Sequence, residues 1–344
     1  RYTYAEGSPV TNLFMNLKYL IARDNIYMNT YDLTEVYGVG NVKLLQNNHY
    51  LPMGFMTNSA LASWQVDENE DQFNPFDKQN EFFKLATGIK NDVYTPLDVV
   101  SQGHTDYNQF PVNKTGYGRY SFSCTDTTVT PHVKWNYEAP KDGLYLMYAD
   151  ISGGDDVTVM INDVAQSKTY GMGRSYIACI GQCKKGDKIS VYSNLQQGQS
   201  GSAMVFVDVL NQDVFEEGYN KLSKSVMTTT KLTGSSMEGT INAQENGLFY
   251  TSVPYEEGWK AYVDGKEVKI TPVGNALVAF NLAKGEHTIK LEYYPKGFAI
   301  GLTVTIICAA TFAFLCVWTY IIKKRRKKKG DISENPEEVQ INAE

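Results

Sequence analysis

The sequence predicts a mainly β protein: an α+β N-terminal segment, then tandem β-sandwich (jelly-roll-like) modules, then one C-terminal transmembrane helix. Three observations predict it. The 344 residues include 24 Tyr, 15 Phe and 28 Gly, which suits pleated surfaces joined by tight turns. From about Thr127 onward, short alternating runs are broken by Gly-containing turns. Near the end, Phe298 to Ile322 runs 25 residues without a charge. The expected organisation is a mixed α/β segment over 1–125, sandwich modules over 126–211 and 212–297, a spanning helix over 298–322, and a basic then acidic tail over 323–344.

In the first segment, "NLKYLIA" and "NVKLLQNNHYLPMGFM" read as strands between polar turns. One helix stands out in "NPFDKQNEFFKLATG". Asn74 is placed as N-cap, Pro75 at the first helical position, Asp77 in the first turn and Gly88 at the end. Phe76, Phe83 and Leu85 form its expected buried face, with Asn80 at the edge.

An internal repeat organises the β region. "KDGLYLMYADISGGDDVTVMINDVAQSKTY...KKGDKISVYSN" aligns with "ENGLFYTSVPYEEGWKAYVDGKEVKITPV...AKGEHTIKLEYYP". Gly143 falls on Gly247, Asn162 on Asp264 and Gly186 on Gly285. Each unit is expected to be a strand, a hairpin, and a second hairpin turned by Lys-Gly-Asp or Lys-Gly-Glu. Two tandem sandwiches and two halves of one larger sandwich both satisfy this pattern. Between the units, Phe215, Tyr219 and Leu222 lie at helical spacing and predict a short helix over the sandwich.

The stretch "YEEGWKAYVDGKEVKI" has an Asp264-Gly265 turn, which sets Val263 opposite Lys266, Tyr262 opposite Glu267, Ala261 opposite Val268 and Trp259 opposite Ile270. Alternation puts Trp259, Ala261, Val263, Val268 and Ile270 on one apolar face. Lys260, Tyr262, Glu267 and Lys269 take the other. Packing alone accounts for the Trp; a functional alternative makes Trp259 and Tyr262 glycan contacts.

As a helix, the 25-residue apolar run extends about 37 Å against a hydrocarbon core of about 30 Å, so it spans with some tilt. "KKRRKKK" follows at once, and the positive-inside rule places that end in the cytoplasm. Residues 1–297 are then extracytoplasmic, and 323–344 form a cytoplasmic tail whose last part, with Pro336 and five acids, reads as disordered. The chain shows no signal peptide and no second apolar run. It is therefore expected to be either a mature single-pass protein or the C-terminal piece of a longer membrane protein. Gly301, Thr305, Ala309 and Ala313 recur every four residues, a ridge suited to close approach by another membrane helix.

Charge and motifs exclude several classes. With the seven cations and five tail acids set aside, the net charge of −6 becomes −8 on the outer part, which disfavours nucleic acid. Cys124, Cys179 and Cys183 lie outside the membrane, Cys308 and Cys316 within it. Cys179 and Cys183 sit about 13 Å apart on an even strand, too far for a disulfide, which leaves Cys124 as a partner for either. The four histidines, His49, His104, His132 and His287, show no metal or triad spacing. "GGDD" at 153–156 reads as a solvated turn rather than a calcium loop, and "NKT" at Asn113 is a sequon only in a eukaryote. No phosphate loop, dinucleotide fingerprint or nucleophile elbow is present. Neither metal nor cofactor is expected from these residues.

"PYEEGWKAYVDGKEVKI" followed by "LAKGEHTIKLEYYPKGFAIG" and then a spanning helix resembles the C-terminal end of the bacterial YfhO family of multi-spanning membrane proteins. "NPFDKQNEFFKLATG" and "NLFMNLKYLIARD" resemble its extracytoplasmic region, so the likeness covers most of the chain. The resemblance implies a C-type membrane glycosyltransferase of the bacterial cell membrane. Such an enzyme moves a sugar from undecaprenyl phosphate to an envelope polymer such as lipoteichoic acid. Its catalytic acid lies among N-terminal spanning helices outside this sequence, so no catalytic residue is carried over. The β modules would then be an accessory domain, with the 301/305/309/313 ridge packing on the absent helix bundle. The alternative is a single-pass surface protein with carbohydrate-binding-like sandwich modules; no sortase-type Leu-Pro-x-Thr-Gly precedes its helix.

Overall fold

A computed structural model describes residues 7–23, 31–65, 74–104, 111–124, 128, 131–170 and 176–330. The acidic tail lies outside the described residues, as do the side chains of His104 and of residues 327–330. The chain forms two units, Arg1–Glu292 and Tyr293–Glu344, and each is treated by itself.

The first unit opens with α1 (Pro9–Phe14), capped by the Ser8 side chain. A small antiparallel sheet follows, made of β1 (Tyr19–Arg23), β2 (Leu33–Val39) and β3 (Val42–Asn47) in the order β1-β3-β2. Strand β4 (Gly54–Thr57) then leads to α2 (Pro75–Thr87). The ends of α2 follow their residues: Asn74 Oδ1 accepts from Phe76 N at 3.0 Å, and Gly88 terminates the helix at φ +72°. Its buried face is broader than the spacing suggested. Phe82 joins Phe76 and Phe83 while Leu85 is only half-buried, because α2 is covered from several sides. Asn80 is buried at the centre of that face, where its amide donates to Tyr94 O at 3.0 Å and accepts from Tyr94 N at 2.8 Å.

The first sandwich pairs two sheets. Its strands are β5 (Tyr94–Pro96), β6 (Ser101–His104), β7 (Val112–Gly116), β8 (Arg119–Ser123), β9 (His132–Glu138), β10 (Gly143–Ile151), β11 (Gly154–Ile161), β12 (Val164–Tyr170), β13 (Ala178–Cys183), β14 (Lys188–Leu195) and β15 (Ser200–Leu210). One sheet runs β13-β10-β15-β8-β7, with β5 also on β15; the other runs β12-β11-β14-β9-β6. Between them Trp135, Tyr145, Val159, Val191 and Val207 form a core of inward-facing alternate residues.

Helix α3 (Gln212–Leu222) lies at the expected position, burying Phe215 and Leu222 and leaving Tyr219 half-buried against His49. A second sandwich follows from β16 (Thr228–Leu232), β17 (Ser236–Ala243), β18 (Gly247–Pro254), β19 (Trp259–Val263), β20 (Lys266–Val268), β21 (Leu277–Leu282) and β22 (Gly285–Tyr293). Its sheets run β16-β17-β22-β19-β20 and β21-β18-β4. Phe249, Phe280, Ile241, Ile289 and Leu291 fill its core.

The repeat is structural. Strands β10, β11, β12, β13 and β14 recur as β18, β19, β20, β21 and β22 with the same neighbours. One expectation is corrected: the Lys-Gly-Asp and Lys-Gly-Glu turns do not make hairpins. Each passes the chain from one sheet of its sandwich to the other, β13 to β14 and β21 to β22. Turn chemistry fixes a reversal but not which sheet receives the next strand. The mixed α/β segment 1–125 supplies strands to both sandwiches. In particular β4 pairs with β18 as β15 pairs with β10.

The outer faces of the β10 and β18 sheets close on a third core. Leu146, Phe206 and Leu210 from the first sandwich and Leu248 and Tyr250 from the second bury Phe14, Phe76, Phe83 and Phe215 of the three helices. Several aromatic pairs meet edge to face, as with Phe14 on Phe82 at 4.8 Å, while Phe83 stacks on Phe215. Tyr250 adds a hydrogen bond to Phe14 O at 3.2 Å.

Cys124, Cys179 and Cys183 are buried thiols and form no disulfide with one another. A register shift in the β10–β13 ladder turns Cys179 toward the helix-filled core and Cys183 toward the first sandwich core. Burial pushes the Cys183 thiol up to about 12.

In the second unit, α4 (Phe298–Gly330) continues through the basic run, and Ile300–Arg326 is long and apolar enough to cross a bilayer. Three of its threonine hydroxyls bond within the helix: Thr305 and Thr311 donate to Gly301 O and Ile307 O, both at 2.8 Å, and Thr319 to Cys316 O at 2.9 Å.

Candidate functional site: the outer face of the second sandwich

The β19–β20 hairpin has the register its sequence specifies, with Ala261, Tyr262 and Val263 opposite Val268, Glu267 and Lys266. Asp264 and Gly265 both take positive φ, +51° and +77°, the two-residue turn whose twist matches its strands. The face carrying Trp259, Ala261, Val263, Val268 and Ile270 packs on the second sandwich core, with Trp259 half-buried there. Tyr262 is on the opposite face. The structure therefore separates the two residues proposed from sequence as glycan contacts, and only Tyr262 faces outward.

Asp264 does more than turn the chain. Its N–H donates to Thr288 O at 2.9 Å, its Oδ1 accepts from Thr288 N at 2.9 Å, and its Oδ2 meets His287 Nδ1 at 2.8 Å. These contacts, led by His287, hold the Asp264 carboxyl below the usual carboxylate range. The other ring nitrogen of His287 is turned to Ala283 O at 3.1 Å. A His–Asp pair suggests general-base chemistry, but here Nε2 is bound to a backbone carbonyl instead of facing a reactant. The pair locks β22 to the β19–β20 turn. The first sandwich has the same lock in other residues: Asn162 N donates to Lys188 O, Asn162 Oδ1 accepts from Lys188 N, and Asn162 Nδ2 donates to Asp187, each at 2.9 Å.

Beside this lock the outer face of the β16-β17-β22-β19 sheet is grooved. One groove of about 650 Å³ is lined by Thr228, Thr240, Asn242, Asp264, Glu286 and Thr288 among others. A second, about 430 Å³, shares Thr240 and Thr288 and adds Tyr262, Glu238, Lys290 and Glu292. Cross-strand pairing orders the floor, with Glu238 opposite Lys290, Thr240 opposite Thr288 and Asn242 opposite Glu286. Lys290 is ion-paired with Glu292 and, at 4.0 Å, with Glu238. Hydroxyls, an amide and carboxylates around one outward Tyr suit a polyhydroxylated ligand. Among the described residues no three His, Cys, Asp or Glu side chains group to hold a metal. Sequence reading missed Thr240, Asn242 and Thr288, whose only sequence signal is outward alternation on β17 and β22.

The family model described as "Bacterial membrane protein YfhO" matches residues 1–305. The YfhO protein of Bacillus subtilis (strain 168) is 29% identical over 136 residues, which cover 36% of this chain and 14% of that protein. The chain thus matches a small part of that relative's length. Among solved structures, the CBM36-1 domain of a multidomain xylanase from the hindgut metagenome of Trinervitermes trinervoides is 10% identical, with 34% of this chain and 95% of that one covered and a TM-score of 0.22. A GH2 beta-galacturonidase from Eisenbergiella tayi is 8% identical, covering 58% and 38%, with a TM-score of 0.20. Scores this low carry no argument about function.

Proposed function

Because this chain belongs to the YfhO family of bacterial membrane proteins, we propose that it is the extracytoplasmic accessory domain and a spanning helix of a membrane glycosyltransferase. That enzyme transfers a sugar from undecaprenyl phosphate to an envelope polymer such as lipoteichoic acid. The observation that carries the reading is a hydroxyl- and carboxylate-lined groove on a β-sandwich whose last strand leads into an apolar helix that begins inside the family match. Residues 1–297 lie outside the cell, and the cations of 323–329 hold the tail in the cytoplasm. The ridge of Gly301, Thr305, Ala309 and Ala313 packs against the rest of the membrane bundle. The two adjoining grooves, which share Thr240 and Thr288, hold a sugar of the acceptor, with Tyr262 of one against its ring and Asn242 of the other, with the two threonines, toward its hydroxyls.

The test is polymer glycosylation in cells lacking the whole gene, complemented with the full-length gene or its Tyr262→Ala/Asn242→Ala form. Loss of the sugar in the deletion and at least about a tenfold reduction in the double variant at equal protein level are expected. Unchanged polymer sugar in the deletion overturns the transferase; full activity of the double variant overturns the groove's role.

A further inference from the structure

The small β1-β3-β2 sheet carries an apolar face with no layer on it among the described residues. Pairing of Tyr19, Ile21 and Arg23 with Gln46, Leu44 and Val42, and of Tyr37 and Val39 with Leu44 and Val42, puts these side chains on one surface. Tyr19 is 46% exposed, Ile21 72%, Tyr37 66% and Val39 64%. On the opposite surface Ala22, Leu45 and Asn47 are buried, while the β2 side of that surface, with Glu35, is exposed. The sheet is thus seated on the first unit by one side and presents Tyr, Ile, Val and Leu on the other. A water-soluble surface rarely gathers so many adjacent apolar side chains.

We propose that this face docks on the headgroup region of the bilayer that α4 crosses. Four observations favour a lipid surface. The face is the open side of a three-stranded sheet, not a groove shaped for a peptide. Its chemistry is that of an interfacial belt, with tyrosines among aliphatic residues and cations at the margin. Arg23 ends β1, and the Lys18 ammonium lies 5.2 Å from the Tyr19 ring centroid and 5.4 Å from that of Tyr50. Glu35 points to the other side, where it pairs with Lys43 at 2.9 Å, so the paired strand residues of the apolar face carry no carboxylate against an anionic surface. Finally, only residues 294–297 separate β22 from α4. A domain tethered this closely meets the bilayer at high effective concentration, so a modest apolar face suffices for docking. The proposal does not rest on the glycosyltransferase reading.

The experiment uses the whole chain in phosphatidylethanolamine/phosphatidylglycerol vesicles. Cys308→Ala and Cys316→Ala remove the membrane thiols, and Ile21→Cys takes a bimane label; the remaining cysteines are buried. Docking predicts that bromine carried near the lipid headgroup quenches the label at least about twofold more than in a Val39→Glu background, and that iodide reaches it less in vesicles than in detergent. Equal iodide access in vesicles and detergent overturns the proposal. So does a label shielded from both iodide and brominated lipid, which assigns the face to protein, whether a second copy or a membrane partner. Ile21 and Val39 are surface positions, so neither change threatens the fold.

Discussion

Asp208 offers the sharpest test of the structure's energetics. It lies on β15 between Leu146 of β10 and Pro96 of β5, is 2% exposed, and its Oδ1 has no hydrogen-bond partner. Burial, reinforced by Asp77, pushes its carboxyl from 3.8 up to about 8. At neutral pH the folded chain therefore holds a proton that the unfolded chain has released. Taking up that proton at about pH 7 costs close to 1.4 kcal/mol for each unit above 3.8, or about 4 kcal/mol. Because the folded value is raised, the penalty is absent below about pH 4, grows as pH rises, and levels off above about pH 8. Asp208→Asn keeps the shape and a neutral polar group while removing the proton uptake. It is expected to stabilise the first unit by about 2–4 kcal/mol near pH 8, with little change near pH 4, and to flatten the pH dependence between them. Urea unfolding of the chain in detergent, followed by fluorescence of the buried Trp135, measures this. A variant equal to or weaker than the parent at about pH 8, with the same pH slope, refutes the argument.

Asp264→Ala removes a lock bonded to Thr288 N and His287; it should cost about 1 kcal/mol in urea unfolding of the second sandwich. Asp264→Asn, which recreates the group at Asn162, should retain most of that stability; a loss equal to that of Asp264→Ala counts against the equivalence of the two turns. Asn80→Ala strips both partners from the Tyr94 backbone inside the helix-filled core and is expected to cost about 2–4 kcal/mol. Its amide-exchange signature is faster exchange at Tyr94.

Local chemistry was legible where the residues that decide it are close in sequence. Asn74, Pro75 and Gly88 announced α2, and Asp264-Gly265 announced both the hairpin register and the inward face of Trp259. The repeat was also legible, because recurring turn residues survive divergence of the strands between them. Pairing across long separations was not. Nothing near Gly54–Thr57 reveals that it fills, beside β18, the place β15 holds beside β10, since a strand's alternation names its buried face but not its neighbour. Phe82 was missed because a helix enclosed from several sides buries more than one stripe. Asp208 was hidden within "AMVFVDVL", where a lone acid in an apolar run gives no measure of its burial. The groove was hidden for a related reason: its threonines are ordinary outward residues until β17 and β22 are set side by side.

Superposing the repeat in register explains why the groove lies on the second sandwich. With Asn162 equivalent to Asp264 and Lys188 to Thr288, the cross-strand pair Glu138–Lys188 of the first sandwich corresponds to Thr240–Thr288 of the second. Two long side chains are thus replaced by two short hydroxyl-bearing ones, which lowers the floor shared by both grooves. The next pair changes as well. Asn136 and Ser190 join by a 2.7 Å hydrogen bond across the first sandwich, whereas the equivalent Glu238 and Lys290 stand 4.0 Å apart, with Lys290 also engaged by Glu292. The first pair joins two neutral groups by a direct hydrogen bond, whereas the second sits in a cluster of ion pairs beside short hydroxyls. The Asn162/Asp264 lock holds both sandwiches to the same geometry, so the difference between their faces comes from these substitutions. That difference puts the two grooves on the sandwich whose last strand runs into the apolar helix.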